Sequence, residues 1–421
     1  MKQKIFSILA LLLMAVTGAW SEELGTKIYT MDFSSVDSYT FWSQIPSGGS
    51  VGIADGALKI TNPAEQTKMY DLQLEIGTNI TTKAGYTYKI KIEYKTTAAG
   101  NVLVVLDPQD NTNYGVEDWN GLPITVSDDF QTFVTEIKNY SIAGTNNRIL
   151  WQFGKLAATI HIKNVEVYET PTVTLTDGGD LSALSSYTGQ AVTLNYTRPF
   201  TASKPSTVCL PFAFAKGSEG TYYTFTGITK EASGFVATMT EYAGATLAAN
   251  TPYLFMPSAT GNVDFGGTYT LPATIAPETT TSSDWKFIGT YSSMTYGTAP
   301  FSGNVYGFAA QASGDVEVGQ FVKGATGATI APMRCYLTYK DGTEYKASAR
   351  TRGVSAIDEL PQTITVRLIS SNGQTTGIGT LDTRTGELST DGWYTLDGRR
   401  LSEKPAKKGL YINDGRKVVI K

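Results

Sequence analysis

The chain has 421 residues, with 34 Lys+Arg against 38 Asp+Glu, one His and two Cys. A single hydrophobic core stops growing near ~250–300 residues, so this length points to two or three domains. A 41% hydrophobic share with 11% aromatics is ample for packed cores and excludes wholesale disorder. One His excludes a two-histidine metal site, and two Cys exclude a four-thiolate zinc site or a disulfide-dense scaffold. A net charge of −4 holds nothing to draw the whole chain onto nucleic acid or anionic lipid. Few charges (17%) and 42 Gly lean towards β structure with many turns.

Residues 1–21 open with Lys2 and Lys4, continue with an apolar run from Ile5 to Val16, and end on the small residues Ala19 and Ser21. This is the layout of a secretory signal, with cleavage expected after Ser21. The apolar run is too short to cross a ~30 Å hydrocarbon core, and no later stretch is longer, so no transmembrane segment is expected. No Cys follows the run, so no lipoprotein anchor is expected either.

Residues 22–169 read as strand after strand: Lys27–Phe33, Ala57–Thr61, Met69–Gly77, Tyr86–Thr96, Asn101–Asp107, Thr132–Tyr140, Arg148–Phe153 and Thr159–Tyr168. Tyr86 to Tyr94 alternates polar and apolar residues, the signature of a half-buried strand. Asp55-Gly56 and Asp110-Asn111 supply turn chemistry. About eight strands in one domain predict two packed sheets, a β-sandwich or jelly roll.

Three stretches carry a resemblance. They are Ala84-Gly85-Tyr86-Thr87-Tyr88, then Asp129-Phe130-Gln131-Thr132-Phe133, then Gly154 followed by Thr159-Ile160-His161-Ile162-Lys163-Asn164-Val165-Glu166-Val167. This segment resembles carbohydrate-binding modules of families four and nine. The resemblance implies a jelly roll with a glycan cleft on one sheet face and, often, a structural calcium. The family's usual Asp pair in the last strand is Lys163-Asn164 here, so calcium stays open and no other cofactor is expected.

Residues 170–346 shift towards Thr, Ala, Gly and Tyr, with strand-like runs at Ala191–Tyr196, Ser206–Phe214, Gly220–Thr229, Phe235–Tyr242, Pro252–Met256, Trp285–Tyr291, Val305–Ala309 and Arg334–Tyr339. A second all-β domain is predicted. Its Cys209-Leu210-Pro211-Phe212, Asn250-Thr251-Pro252-Tyr253-Leu254, Phe287-Ile288-Gly289-Thr290-Tyr291 and Ile330-Ala331-Pro332-Met333-Arg334 resemble a β-rich module of unassigned role. That module precedes the sorting signal of proteins exported by type IX secretion. Residues 347–390 read as a linker holding short strands, with Thr365–Ile369 and Thr376–Leu381 facing each other around Asn372-Gly373. Residues 391–421 carry eight basic and four acidic side chains and two Asp-Gly turns, Asp397-Gly398 and Asp414-Gly415, predicting a small β element that acts as an interaction signal. Trp393 to Leu401, Lys407-Lys408, Gly409-Leu410-Tyr411-Ile412 and the closing Val/Lys run closely resemble the C-terminal sorting domain of type IX secretion. The resemblance implies that the secretion machinery is a partner of residues 391–421, with display on the outer surface of a Gram-negative cell.

No Gly-x-Ser-x-Gly elbow and no phosphate loop is present. His161 lies between Ile160 and Ile162 and is expected to be a sheet-face imidazole, not a base. Cys209 and Cys335 are expected to be buried free thiols; a disulfide, contributing up to ~4–5 kcal/mol, is the alternative. Asp71, Glu75, Asp107 and Glu117 are the acids that could face one cleft in a glycoside hydrolase, although most acids in a β protein solvate its outer face.

Sugar binding needs aromatic faces for the pyranose C–H side and polar groups for its hydroxyls. With period two, Asp71, Gln73 and Glu75 share a face opposite Tyr70, Leu72 and Leu74. Arg148, Leu150 and Gln152 likewise oppose Ile149, Trp151 and Phe153. Asp71, Gln73, Arg148 and Gln152 then form a polar cleft floor, and Trp151 belongs to the core. Trp42, Tyr114 and Trp119 stand in predicted loops, where they either stack on a ligand or simply pack. The resulting expectation is a secreted, non-catalytic, polysaccharide-binding surface protein. Its rivals are a structural adhesin or surface-layer component and, less favoured, a glycan-degrading enzyme.

Overall fold

The computed structural model describes residues 23–340 except 111, 232–233, 301 and 310–317, and short stretches between 360 and 420. The expected signal, residues 1–21, lies outside the described residues, as do Asn111, Asn372-Gly373 and the two Asp-Gly pairs of the tail. The structure is all-β, in two compact units, the first running to Thr172 with two short later segments, Ala191–Thr193 and Thr268–Thr270. Among the described residues no helix is long and apolar enough to cross a membrane.

The first unit is a two-layer sandwich of jelly-roll type. Its strands are β1 (Thr26–Asp32), β2 (Ser43–Gln44), β3 (Ser50–Ala54), β4 (Ala57–Asn62), β5 (Gln73–Thr82), β6 (Tyr86–Thr96), β7 (Gly100–Asp107), β8 (Leu122–Ile124), β9 (Ser127–Tyr140), β10 (Gly144–Gln152) and β11 (Ala158–Thr174). The long β11 is flanked on one side by β4 and β1 and on the other by β6, with β3 and β9 at the outer positions. The second sheet has the order β2-β5-β10-β7-β8, antiparallel throughout. The β3–β4 hairpin turns on Asp55-Gly56, with φ of +56° and +67°, the left-handed pair that a tight two-residue turn requires.

Alternation explains the core between the sheets. Ile90 and Ile92, Ile149 and Trp151, and Ile160 and Ile162 all point inwards with no exposed surface. Trp151 packs edge-on against Phe133 at 5.8 Å and lies 6.5 Å from Tyr94, as its place in the alternation predicts. Its indole N–H meets no acceptor there. His161 is half-buried on the opposite face of β11, beside Lys59 and Lys95; burial, and then those two ammonium groups, hold its pKa below the usual value.

In the second unit the principal sheet runs Ser206–Cys209, Pro252–Pro257, Gly220–Glu231, Gly234–Glu241, Thr363–Ile369, Phe321–Lys323, Val305–Phe308, Arg334–Tyr339, Trp285–Thr290 and Thr279–Ser282. Thr363–Ile369 therefore differs from its reading as part of a linker. It lies parallel to Gly234–Glu241 and antiparallel to Phe321–Lys323, with Ile364 fully buried. The expected antiparallel pairing with the following strand is also present, Leu368 opposite Gly377 and Ile369 opposite Thr375, so the strand satisfies its own backbone on both sides while filling the core. Cys209 and Cys335 are free, buried thiols in that core, and burial raises both pKa values, that of Cys209 to about 12.

Within residues 391–421, Trp393–Thr395, Arg400–Leu401, Gly409–Asn413 and Arg416–Ile420 form an antiparallel four-stranded sheet. Asn413 pairs with Arg416, so two residues separate those strands, as a hairpin needs.

Candidate glycan-binding cleft

The outer face of the β2-β5-β10-β7-β8 sheet carries a cleft of about 620 Å³. Its floor follows from strand pairing. Gln152 lies between Gln73 and Leu103, Leu150 lies between Glu75 and Val105, and Arg148 is opposite Asp107. At ~3.3 Å per residue, Arg148 and Gln152 stand roughly 13 Å apart along β10, a length suited to a short oligosaccharide.

Polar groups occupy the ends of this floor. At one end Arg148 Nε donates to Asp107 Oδ2 at 2.7 Å, and its Nη1 lies 3.7 Å from Glu75 Oε2. Asp107 Oδ1 accepts from the backbone N–H of Gln109 at 2.9 Å. At the other end Gln152 Nε2 donates to Gln73 Oε1 at 2.9 Å, and Gln73 Nε2 donates to Gln44 Oε1 at 3.3 Å. Between them Leu103, Val105 and Leu150 form a small apolar cluster with Met69 and Val116. The floor is thus polar at its ends and apolar at its centre, where Leu150 stands on the face it shares with Arg148 and Gln152.

Aromatic side chains form the walls. Trp42 precedes β2, and its carbonyl oxygen accepts from the Glu75 N–H at 2.9 Å and the Tyr39 hydroxyl at 2.9 Å. The Arg148 guanidinium sits over the Trp42 ring, 5.1 Å from its centroid. Facing it, the loop between β7 and β8 presents Tyr114 and Trp119 in edge-to-face contact at 6.5 Å. Reciprocal backbone hydrogen bonds between Leu106 and Gly115 hold one end of this loop. At the other end, Asn101 Nδ2 donates to the Asn120 carbonyl at 3.2 Å, and Asp118 caps the Asn120 N–H at 2.8 Å. Trp42, Tyr70, Tyr114 and Trp119 are all notably exposed, Trp119 at 63%.

Six of the seven residues singled out from the sequence, Trp42, Gln73, Tyr114, Trp119, Arg148 and Gln152, line this one cleft. Asp71 does not. Met69–Asp71 is a turn of 3-10 helix ahead of β5, so strand alternation starts only after it. The Asp71 carboxylate accepts from the Lys68 N–H at 2.9 Å and closes that turn. The same change of phase turns Tyr70 out of its expected core position and onto the cleft wall, 46% exposed. Of the other acids, Glu117 is tied to Thr135 Oγ1 and the Glu136 N–H and is absent from the cleft lining.

Sequence reasoning missed Lys68, Met69, Leu103, Val105 and Lys155 and the cleft role of Tyr70. The run from Val102 to Leu106 is apolar on both faces, so alternation could not mark which side faces outward. Among the described residues no cluster of three or more metal-ligating side chains is present.

No protein-family model matches the chain, and no curated protein does. Among solved structures, BiXyn10A CBM1 in its apo form is similar at 20% identity, over 34% of this chain and 98% of that one, with a TM-score of 0.29. A family-four module ("CBM4 structure and function") is similar at 21% identity over 35% and 99%, with a TM-score of 0.26. A family 29 carbohydrate-binding module is similar at 16% identity over 34% and 86%, with a TM-score of 0.24.

Proposed function

We propose that this is an exported, surface-attached protein whose first unit holds a polysaccharide chain without cleaving it. The observation that carries the binding reading is the cleft itself: exposed Trp42 faces Tyr114 and Trp119 across a floor with amides at one end and a fixed guanidinium at the other. Aromatic faces offer stacking surface to the C–H side of pyranose rings, and Gln73, Gln152 and Arg148 offer hydrogen bonds to hydroxyls. The non-catalytic reading is supported by Glu75 and Asp107. Asp107, the only carboxylate among the described cleft-lining residues, is bonded to Arg148, and Glu75, outside the lining, lies 3.7 Å from the same guanidinium, so no free carboxylate is offered to protonate a leaving oxygen. Export is supported by the signal-like layout of residues 1–21, and attachment by the basic, separately patterned residues 391–421.

Affinity gel electrophoresis of the full chain against a panel of neutral and acidic polysaccharides tests the binding reading. Retardation by at least one polymer is expected, and the double variant Trp42→Ala, Trp119→Ala should lose it. A variant that is retarded as strongly as the parent would remove this cleft from the reading. For attachment, removing residues 391–421 should leave the protein in the periplasm; normal surface display of the truncated chain would defeat that part.

A further inference from the structure

The charges of the cleft are unevenly distributed along it. At one end the single cation Arg148 faces two carboxylates, Asp107 at 2.7 Å and Glu75 at 3.7 Å. At the other end stand Lys68 and Lys155, both exposed and both part of the cleft lining. Their convergence is built by the backbone. The Gln66 N–H donates to the Gly154 carbonyl at 2.7 Å, and the Gly154 N–H donates to the Met69 carbonyl at 2.7 Å, so the two lysine-bearing segments run side by side. Only glycine permits that approach, because a Cβ at position 154 would collide with the Lys68 carbonyl oxygen.

Neither ammonium group has a carboxylate within ion-pairing distance among the described residues. The Lys68 ammonium instead lies 5.1 Å from the centroid of the Tyr70 ring. Asp71, three residues on, has one carboxylate oxygen engaged by the Lys68 backbone N–H. Two cations without a carboxylate partner, at the end opposite the surplus carboxylate beside Arg148, attract negative charge there, and an ammonium accepts any oxyanion geometry.

We propose that the cleft prefers glycans bearing an anionic group, a carboxylate or a sulfate ester, which Lys68 and Lys155 engage at the Gln73–Gln152 end. This rests on the cleft being a glycan site and adds polarity to it: the anionic substituent fixes which way the chain lies, with neutral rings between Trp42 and the Tyr114–Trp119 wall.

The test uses matched pairs of polymers with the full chain: glucuronoxylan beside its carboxyl-reduced form, and a sulfated galactan beside its desulfated form. A neutral β-glucan and a mannan complete the set. The anionic member of at least one pair should bind roughly three- to tenfold tighter at low salt, the range expected of two exposed charge pairs. Preference within the first pair alone identifies a carboxylate, and within the second alone a sulfate. Lys68→Gln with Lys155→Gln should erase the preference, bringing the anionic member down to the affinity of its neutral partner. Lys59→Gln with Lys95→Gln, on the outer face of the other sheet, should preserve it. Equal binding of both members of each pair, or a preference that survives Lys68→Gln with Lys155→Gln, would overturn the proposal while leaving the glycan reading intact. A preference lost equally in the Lys59, Lys95 variant would do the same. Failure to bind any of the six polymers would overturn both.

Discussion

The guanidinium of Arg148 is stacked over the indole of Trp42, 5.1 Å from its centroid, while its Nε is locked to Asp107. A loop aromatic and two strand residues thus act as one rigid piece, in which Asp107 orients Arg148 and Arg148 supports Trp42. Stacking of this kind contributes about 0.5–1 kcal/mol at an exposed site, and a charge-assisted hydrogen bond about 1.5–3 kcal/mol.

Asp107→Asn should therefore act beyond its own position. Loss of the anionic partner leaves Arg148 held only by the longer contact with Glu75, so Trp42 loses its support. Stability is expected to fall by about 1–3 kcal/mol and polysaccharide affinity by several-fold. Denaturant unfolding together with affinity electrophoresis would show this; a fall in stability with unchanged affinity would disconnect Asp107 from the cleft.

Tyr70 separates two accounts of its segment. On the cleft wall and 46% exposed, Tyr70→Ala should change stability by no more than about 0.5 kcal/mol while weakening glycan retention. Had the strand alternation continued through Tyr70 into the core, the same substitution would cost about 3–5 kcal/mol. A melting experiment on one variant distinguishes the two.

Trp151 is fully buried with its indole N–H unpaired. Trp151→Ala should destabilise the first unit by about 3–5 kcal/mol. Trp151→Phe should cost far less, because the smaller ring also removes an unsatisfied donor. Chemical denaturation of both variants provides the comparison, and equal losses would point to an acceptor for the indole.

Glu166 sets an acid limit. Burial alone would push its pKa up, but hydrogen bonds from Lys27, Tyr168 and Lys91 outweigh burial and hold the carboxyl at about 2, below its ordinary 4.5. A depressed carboxyl stabilises the fold fully above the unfolded value, and that contribution is lost as pH falls from about 4.5 towards about 2. Glu166→Gln should flatten the stability profile across that window and lower stability at neutral pH. A profile with the parent's slope would place the acid sensitivity elsewhere.

Much of the site was legible because alternation in a strand is a local property. Arg148, Leu150 and Gln152 face one way and Ile149, Trp151 and Phe153 the other, wherever β10 sits in the sheet. The Asp55-Gly56 hairpin and the all-β character were legible for the same reason. Asp71 and Tyr70 were misplaced because one turn of 3-10 helix interrupts that period, and nothing in Met69-Tyr70-Asp71 marks the interruption.

Lateral order was not available from the chain alone. That β10 lies between β5 and β7, bringing Asp107 to Arg148 and Gln73 to Gln152, depends on contacts between residues many positions apart. So does the insertion of Thr363–Ile369 beside Gly234–Glu241. The sequence determined which faces each strand would show to water and to the core. The tertiary structure decided which strands became neighbours, because that choice is made by the joint packing of both sheets, and with it which charges and rings share a cleft.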